Sequence, residues 1–381
     1  MTRSLQARLH TELDLLSRTG VGLPSLAPAL APLLRKLVGA QACVIGWVDD
    51  LGQPEGVFHE HASAAATELF INEYERLFTG QYEFNVVSMA SGKGPVVGNL
   101  LNLDSSYLRS NTYNLLMRPD SYHHALDLRV EVDGVPRAIV GLLRPASQPF
   151  RQNEAFALLD LLPSLQRAAA QCASAGSAFA GACSSGHLLV SADGERIELC
   201  NEVGMRLLKN ANLMGQSLLL VERMVRPPLF IQRLCSDLHA RLGTDARIRL
   251  EVPGGQLLAA VSWLGPCVDP LAAGVAAPGP SLVPAPGQPQ ESGKKFLVTL
   301  EFTPTGAVDV VRSILDLGLS PLQGRLALIA AAGGSRAACG QQHRLGKETL
   351  KTHLRKIYAA AQCDDWDSLG GKLRAASLQL Q

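Results

Sequence analysis

The sequence predicts an α+β chain of several domains, two mixed α/β units followed by an all-α unit of four helices. Three observations predict it. Strand-like apolar runs flank the turn dipeptides Asp133-Gly134 and Asp193-Gly194. Between them lie helical stripes of Leu and Phe. The last sixty residues carry only helical spacing, punctuated by capping residues and glycines.

The elements follow in order. Residues 6–38 are expected to be helical, with Leu9, Leu13, Leu16, Leu30 and Leu34 in the stripe and a Gly/Pro break at 20–24. Ala42–Val48 reads as a buried strand ending at Asp49-Asp50, and residues 66–80 as an amphipathic helix stopped by Gly80. Residues 124–143 hold a hairpin around Asp133-Gly134. Asn153 then caps a helix with Phe156, Leu159, Leu162 and Leu165 along one side. Residues 171–186 read as a linker. His187–Asn201 reads as strand, turn and strand, and Asn201 leads into a helix over Glu202–Lys209. Strands are expected at 246–252, 257–263 and 295–303. Between the last two, residues 265–294 include 12 Pro or Gly and form an irregular excursion.

Composition excludes several classes. The chain has 381 residues, enough for two or three domains with real cores. Hydrophobic residues make up 47% and charged residues 18%, a globular balance. The eight cysteines, at 43, 172, 183, 200, 235, 267, 339 and 363, form no Cys-x-x-Cys pair and no zinc-finger spacing, so they read as small buried apolar residues with reduced thiols. Met1–Leu15 mixes polar and apolar residues, so no signal peptide is expected. No apolar run reaches the roughly 18 residues of a membrane helix. A cytoplasmic location away from membranes is expected. Gly-x-Ser-x-Gly, a Gly-Lys-Ser/Thr phosphate loop and His-Glu-x-x-His are all missing, so no enzyme activity, cofactor or metal is expected.

The C-terminal segment is the most specific. Ser320, Pro321 and Gln323 spell a capped helix start with a capping box. Gly333-Gly334 stops that helix, Ser335 caps a short second one, and Leu345-Gly346 turns into a third over Lys347–Ala361. A fourth begins near Asp365-Trp366. In the third helix Leu350, Leu354, Ile357 and Ala361 form one apolar face. Lys347, Glu348, Thr349, Lys351, Thr352, Arg355 and Lys356 fall away from it. Residues 336–356 carry six Lys/Arg against one acid. Residues 319–375 sum to +5, in a chain whose net charge is +1. A basic helix on an otherwise acidic chain is the footprint of phosphate contact.

These residues, above all Thr349-Leu-Lys-Thr-His-Leu-Arg-Lys-Ile-Tyr358, resemble the recognition helix of LuxR-type helix-turn-helix regulators, over about 60 residues. The resemblance implies a helix in the major groove of double-stranded DNA. Lys351 falls on a DNA-touching lysine. Thr349, Thr352, Arg355 and Lys356 fall on groove- or backbone-facing positions, and His353 on a packing position. The chain departs from that pattern at Gln323 and Arg325, where the family usually carries acids. It departs again in the small second helix Arg336-Ala-Ala-Cys-Gly340, whose interior glycine costs about 0.5–1 kcal/mol.

Upstream, Val140-Gly-Leu-Leu-Arg-Pro145 through Leu159 resembles the end of a GAF domain, and residues 187–209 the opening of a PAS domain. The expected organisation is a GAF-like sensory domain (1–170), the linker 171–186, a PAS-like domain (187–303, with its excursion) and a LuxR-type domain (316–381). Ten of 19 aromatics fall within 47–122. Trp47, Phe58, Tyr82, Phe84, Tyr113 and Tyr122 are the candidates for a small organic ligand, an aromatic core being the ordinary alternative. His59/His61 and His123/His124 suit hydrogen-bonded histidines better than a metal, since no third ligand is evident. The implied function is a ligand-responsive transcriptional regulator acting as a homodimer on a near-palindromic site. Two alternatives stand beside it: a ligand-binding or interaction module whose helical tail docks a protein, and a degenerate phosphoacceptor receiver built on Asp49, Asp50, Asp104 and Arg144.

Overall fold

The computed structural model describes residues 3–49, 51–90, 94–101, 105–170, 181–214, 226–241, 245–264 and 295–378. The leucine stripe at the start folds as α1 (Arg3–Leu16) and α2 (Leu23–Val38), separated at the expected break. Gly39, in the left-handed region at φ +76°, ends α2 with its N–H on the Arg35 carbonyl.

Four strands follow: β1 (Ala42–Val48), β2 (Pro54–His59), β3 (His124–Val132) and β4 (Val135–Arg144). They pair antiparallel throughout, in the order β2-β1-β4-β3. Asp133 (φ +53°) and Gly134 (φ +78°) both sit in the left-handed region, as a two-residue hairpin turn demands. Between β2 and β3 lie α3 (Ala64–Leu77), α4 (Val86–Ala90) and a π-helical turn at Thr112–Met117. After β4 come α5 (Gln152–Leu159) and α6 (Leu162–Ala169). Both faces of this sheet are covered. Cys43, Ile45 and Trp47 pack toward α1 and α2, while Ala42 and Val48 belong to a separate cluster with Met89, Leu100, Tyr107 and Met117.

The second sheet is made of β5 (Ser184–Val190), β6 (Ile197–Cys200), β7 (Asp245–Val252), β8 (Gly255–Leu264) and β9 (Lys295–Pro304), in the antiparallel order β6-β5-β9-β8-β7. Strand β5 begins at Ser184, inside the stretch expected to be linker, because Ser184–Gly186 pair with Leu300–Phe302. Residues 171–180 of that stretch, and the excursion 265–294, lie outside the described residues. Helix α7 (Glu202–Ala211) starts as expected on Asn201, whose Oδ1 accepts from Gly204 N–H at 2.8 Å. Helix α8 (Leu229–Arg241) packs on β7 and β8.

Five helices complete the fold: α9 (Ala307–Asp316), α10 (Pro321–Ala331), α11 (Arg336–Gln342), α12 (Lys347–Ala361) and α13 (Trp366–Leu378). Buried apolar residues run without a break from α1 and α2 through both sheets to α10–α13. The units are also joined by polar contacts. Asn212 O accepts from Val57 N–H at 3.1 Å, and Glu55 O from Met214 N–H at 2.8 Å. Gly254 N–H donates to Ser25 O at 3.1 Å. Asp14 of α1 receives Arg325 of α10 at 2.7 Å. No helix among the described residues is long and apolar enough to cross a membrane.

Candidate nucleic-acid interface and apolar cavity

Local chemistry positions the C-terminal helices. Ser320 Oγ accepts from Gln323 N–H at 3.4 Å while Gln323 Oε1 accepts from Ser320 N–H at 3.0 Å, closing the capping box with Pro321 in the first turn. Gly333, at φ +76°, ends α10, and Ser335 caps α11 by accepting from Ala338 N–H at 3.1 Å. Gly340 has a packing role: a Cβ there would lie 3.2 Å from Leu350 Cδ2, so its absence lets α11 close onto α12. Trp366 Nε1 donates to Gly334 O at 2.7 Å, and Lys372 Nζ to Ala361 O at 2.7 Å, which ties α13 over the ends of α10 and α12.

Helix α12 is two-faced. Leu350, Leu354, Ile357 and Ala361 are buried. Lys347, Glu348, Thr349, Lys351, Thr352, Arg355 and Lys356 are all exposed on the other side. Thr352 Oγ donates back to Glu348 O at 2.9 Å. Among the described residues no carboxylate lies within ion-pair distance of Lys347, Lys351, Arg355 or Lys356. Among the described residues these four cations form no ion pair, and they face outward with Glu348 as the one acid on that side. His353 is half-buried, with its Nδ1 buried and without a hydrogen bond among the described residues.

The N-terminal sheet frames an apolar cavity of about 110 Å³ on the face opposite α1 and α2. Val44, Val57, His59, Phe70, Met89 and Met117 are among its walls. Gly141 of β4, paired with Val44 of β1 and Asp127 of β3, leaves the space a side chain would fill. Asp127 is fully buried and fixes the neighbouring segment: its Oδ1 accepts from Leu100 N–H at 2.7 Å and its Oδ2 from Asn99 Nδ2 at 2.6 Å. Leu100 is part of the cavity wall. Burial pulls the His59 pKa down to about 4, so its ring is neutral near pH 7. His59 Nδ1 accepts from His61 N–H at 3.1 Å, which puts the ring's own proton on Nε2.

Of the six aromatic ligand candidates, only Phe84 lines this cavity. The other five lie elsewhere. Trp47 and Phe58 point to the α1/α2 side of the sheet, because they occupy the strand parity opposite to Val44, Val57 and His59. Tyr82 is exposed on the surface. Tyr113 bonds His123 Nδ1 through its hydroxyl at 2.8 Å, and Tyr122 is buried behind the wall. His59, read in the sequence as a hydrogen-bonded histidine, supplies polar groups together with Tyr107 and with Asn85 and Thr112, which the sequence did not single out.

The histidine pairs are engaged locally. His61 sits 3.6 Å from Glu60, and His124 Nε2 lies 3.1 Å from Ala146 O. The receiver alternative fails on geometry, since a receiver needs a doubly wound parallel sheet and this one is antiparallel throughout. Asp49 is a turn residue, its Oδ1 accepting from Leu51 and Gln53 N–H at 2.9 and 2.7 Å. Arg144 is committed to Val38 O, Gly39 O and Glu154. Asp50 and Asp104 lie outside the described residues.

A scan against protein-family models finds no match, and a search of curated proteins finds none either. Among solved structures, the sensor region of a sensor histidine kinase aligns over 72% of this chain and 88% of its own, at 14% identity and a TM-score of 0.19. A superposition that poor carries no argument about fold or function.

Proposed function

We propose that the chain is a LuxR-type transcriptional regulator that binds double-stranded DNA through α12. One observation carries this reading: four cations with no ion pair among the described residues and two threonines stand exposed on one face of a 15-residue helix whose opposite face is buried among α10, α11 and α13. A groove-reading helix needs that division between a packed and a free side. In the same reading, the GAF-like unit senses a small organic molecule in the apolar cavity. The walls favour a neutral, mainly apolar ligand with one acceptor group facing the His59 ring N–H. A homodimer would present two such helices to a two-fold site, and the ligand acts by favouring one arrangement of the pair.

Fluorescence anisotropy of the full chain on duplex DNA across a salt series tests this. Lys351→Ala is expected to weaken binding to all sequences and to flatten the log–log salt slope by about one. Arg355→Ala is expected to reduce discrimination between specific and random duplexes, worth about 1–3 kcal/mol if it reads a base. Salt-insensitive binding, or none with either wild type or variants, rejects the reading. Helical content of the variants is checked by circular dichroism.

A further inference from the structure

We propose that the recess between the α1–α2 turn, α6, α10 and the end of α11 is a binding site for a small dianion, of the phosphate-bearing class, held by Arg18, Arg167 and Arg325. All three guanidiniums converge on one carboxylate. Asp14 Oδ1 receives Arg18 Nε at 3.0 Å and Arg167 Nη2 at 3.1 Å, and Asp14 Oδ2 receives Arg325 Nε at 2.7 Å. Three positive charges against one negative leave two unbalanced in a cluster whose side chains are only 27%, 36% and 34% exposed. Partly desolvated like charges repel strongly unless a counter-charge joins them.

The recess has room for that counter-charge. It measures about 190 Å³, is walled by the three arginines with Leu328, Ile329, Ala332, Gln342 and His343, and has no carboxylate in its wall. Free donors remain. Beyond the bonds to Asp14, Arg167 reaches Ser17 Oγ and Ser164 Oγ, each at 3.2 Å. Both Nη groups of Arg18 and of Arg325, and Nη1 of Arg167, have no hydrogen bond among the described residues. These are the planar forks that grip tetrahedral oxyanions. Burial, and then the field of Arg18 and Arg325, hold the His343 pKa below its ordinary value, as expected beside an excess of positive charge. A phosphate group, at −1.5 to −2 near pH 7, matches the missing charge.

The donors come from both sides of a junction. Arg18 and Arg167 belong to the N-terminal unit and Arg325 to the first helix of the C-terminal one. An anion here therefore ties the sensory part to the helical part. The basic residues of α12 contribute nothing to the recess wall, which favours a small anion over a duplex backbone.

The experiment is isothermal titration of the full chain with inorganic phosphate in a phosphate-free chloride buffer, with sulfate as competitor. Saturable one-to-one binding is expected, with a dissociation constant below about 1 mM. Arg18→Gln is expected to weaken it roughly tenfold. Asp14→Asn removes the competing carboxylate and is expected to tighten it several-fold, a change that mere loss of a structural ion pair would not give. Absence of saturable binding in wild-type protein overturns the proposal whatever the variants do. So does binding of equal strength in Arg18→Gln. Weaker DNA binding by Arg18→Gln in phosphate-free buffer also overturns it, by assigning the cluster to the duplex backbone.

Discussion

His59 shows how one buried side chain writes a pH dependence into the whole chain. Its ring titrates near 4 in the folded protein, because burial disfavours the charged form, and near 6.5 when unfolded. Between those values the unfolded chain holds the extra proton, so stability rises with pH across that window. The contribution is fully present above about pH 6.5 and is lost as pH falls toward 4. For a ring that is not completely shielded it amounts to about 2 kcal/mol. Urea unfolding at pH 5 and pH 7.5 should show more than half of that difference in wild type and a much smaller one in His59→Gln. Equal slopes in the two proteins would reject the assignment. The same residue shows why the cavity was only half legible in the sequence. The aromatics concentrate in the unit that holds the cavity, but residue type does not say which face of a doubly covered strand meets that cavity. Trp47 and Val44 are equally at home in a buried strand, and only the pairing of β1 with β4 separates them.

At the scale of elements, start and stop residues carried most of the information. Ser320, Ser335 and Asn201 all cap helices through their side chains, as their positions before apolar runs predict, whereas Asn153 lies inside α5, which starts on Arg151 and breaks before Leu162. Helix α12 spans Lys347–Ala361, the expected bounds. It ends at Gln362, which adopts the left-handed region at φ +52°. Helix α9 has no start signal in the sequence, although Ala307, Val310, Val311 and Ile314 form a regular buried stripe. It follows β9 directly, with no side-chain cap to announce it. The π-helical turn at Thr112–Met117 had no readable signal, because it is held from outside by Glu83, which accepts from Asn111 and Thr112 N–H at 2.6 and 2.9 Å. The capping box of α10 gives a direct test. Ser320→Ala removes the acceptor for Gln323 N–H and is expected to cost about 1 kcal/mol. The urea midpoint should fall while the slope of the transition stays the same. An unchanged midpoint would mean that α10 is held by packing alone.

For the molecule as a whole, the sequence divides into three units, but the buried apolar residues do not. Leu15 is fully buried in α1, and its Cδ1 would lie 3.4 Å from a Cβ placed on Gly324 of α10. Helix α1 also meets α6 and α9, so one N-terminal helix touches the N-terminal sheet's cover and the C-terminal helices together. Asp14 reinforces this contact through Arg325, and Arg8 through Asp316 at 3.1 Å, although the latter pair is exposed and worth little. A shared core of this kind makes unfolding of the C-terminal helices depend on α1. Leu15→Ala leaves a cavity at the crossing and is expected to cost about 3 kcal/mol. Because the core is continuous, the loss should appear in hydrogen-exchange protection of α10 amides as well as in α1. Calorimetry should show one transition shifted downward rather than a split one. If α10 protection were untouched while α1 loosened, the C-terminal helices would be an independent unit. Coupling between the cavity and the proposed DNA-binding face would then have to run through another path.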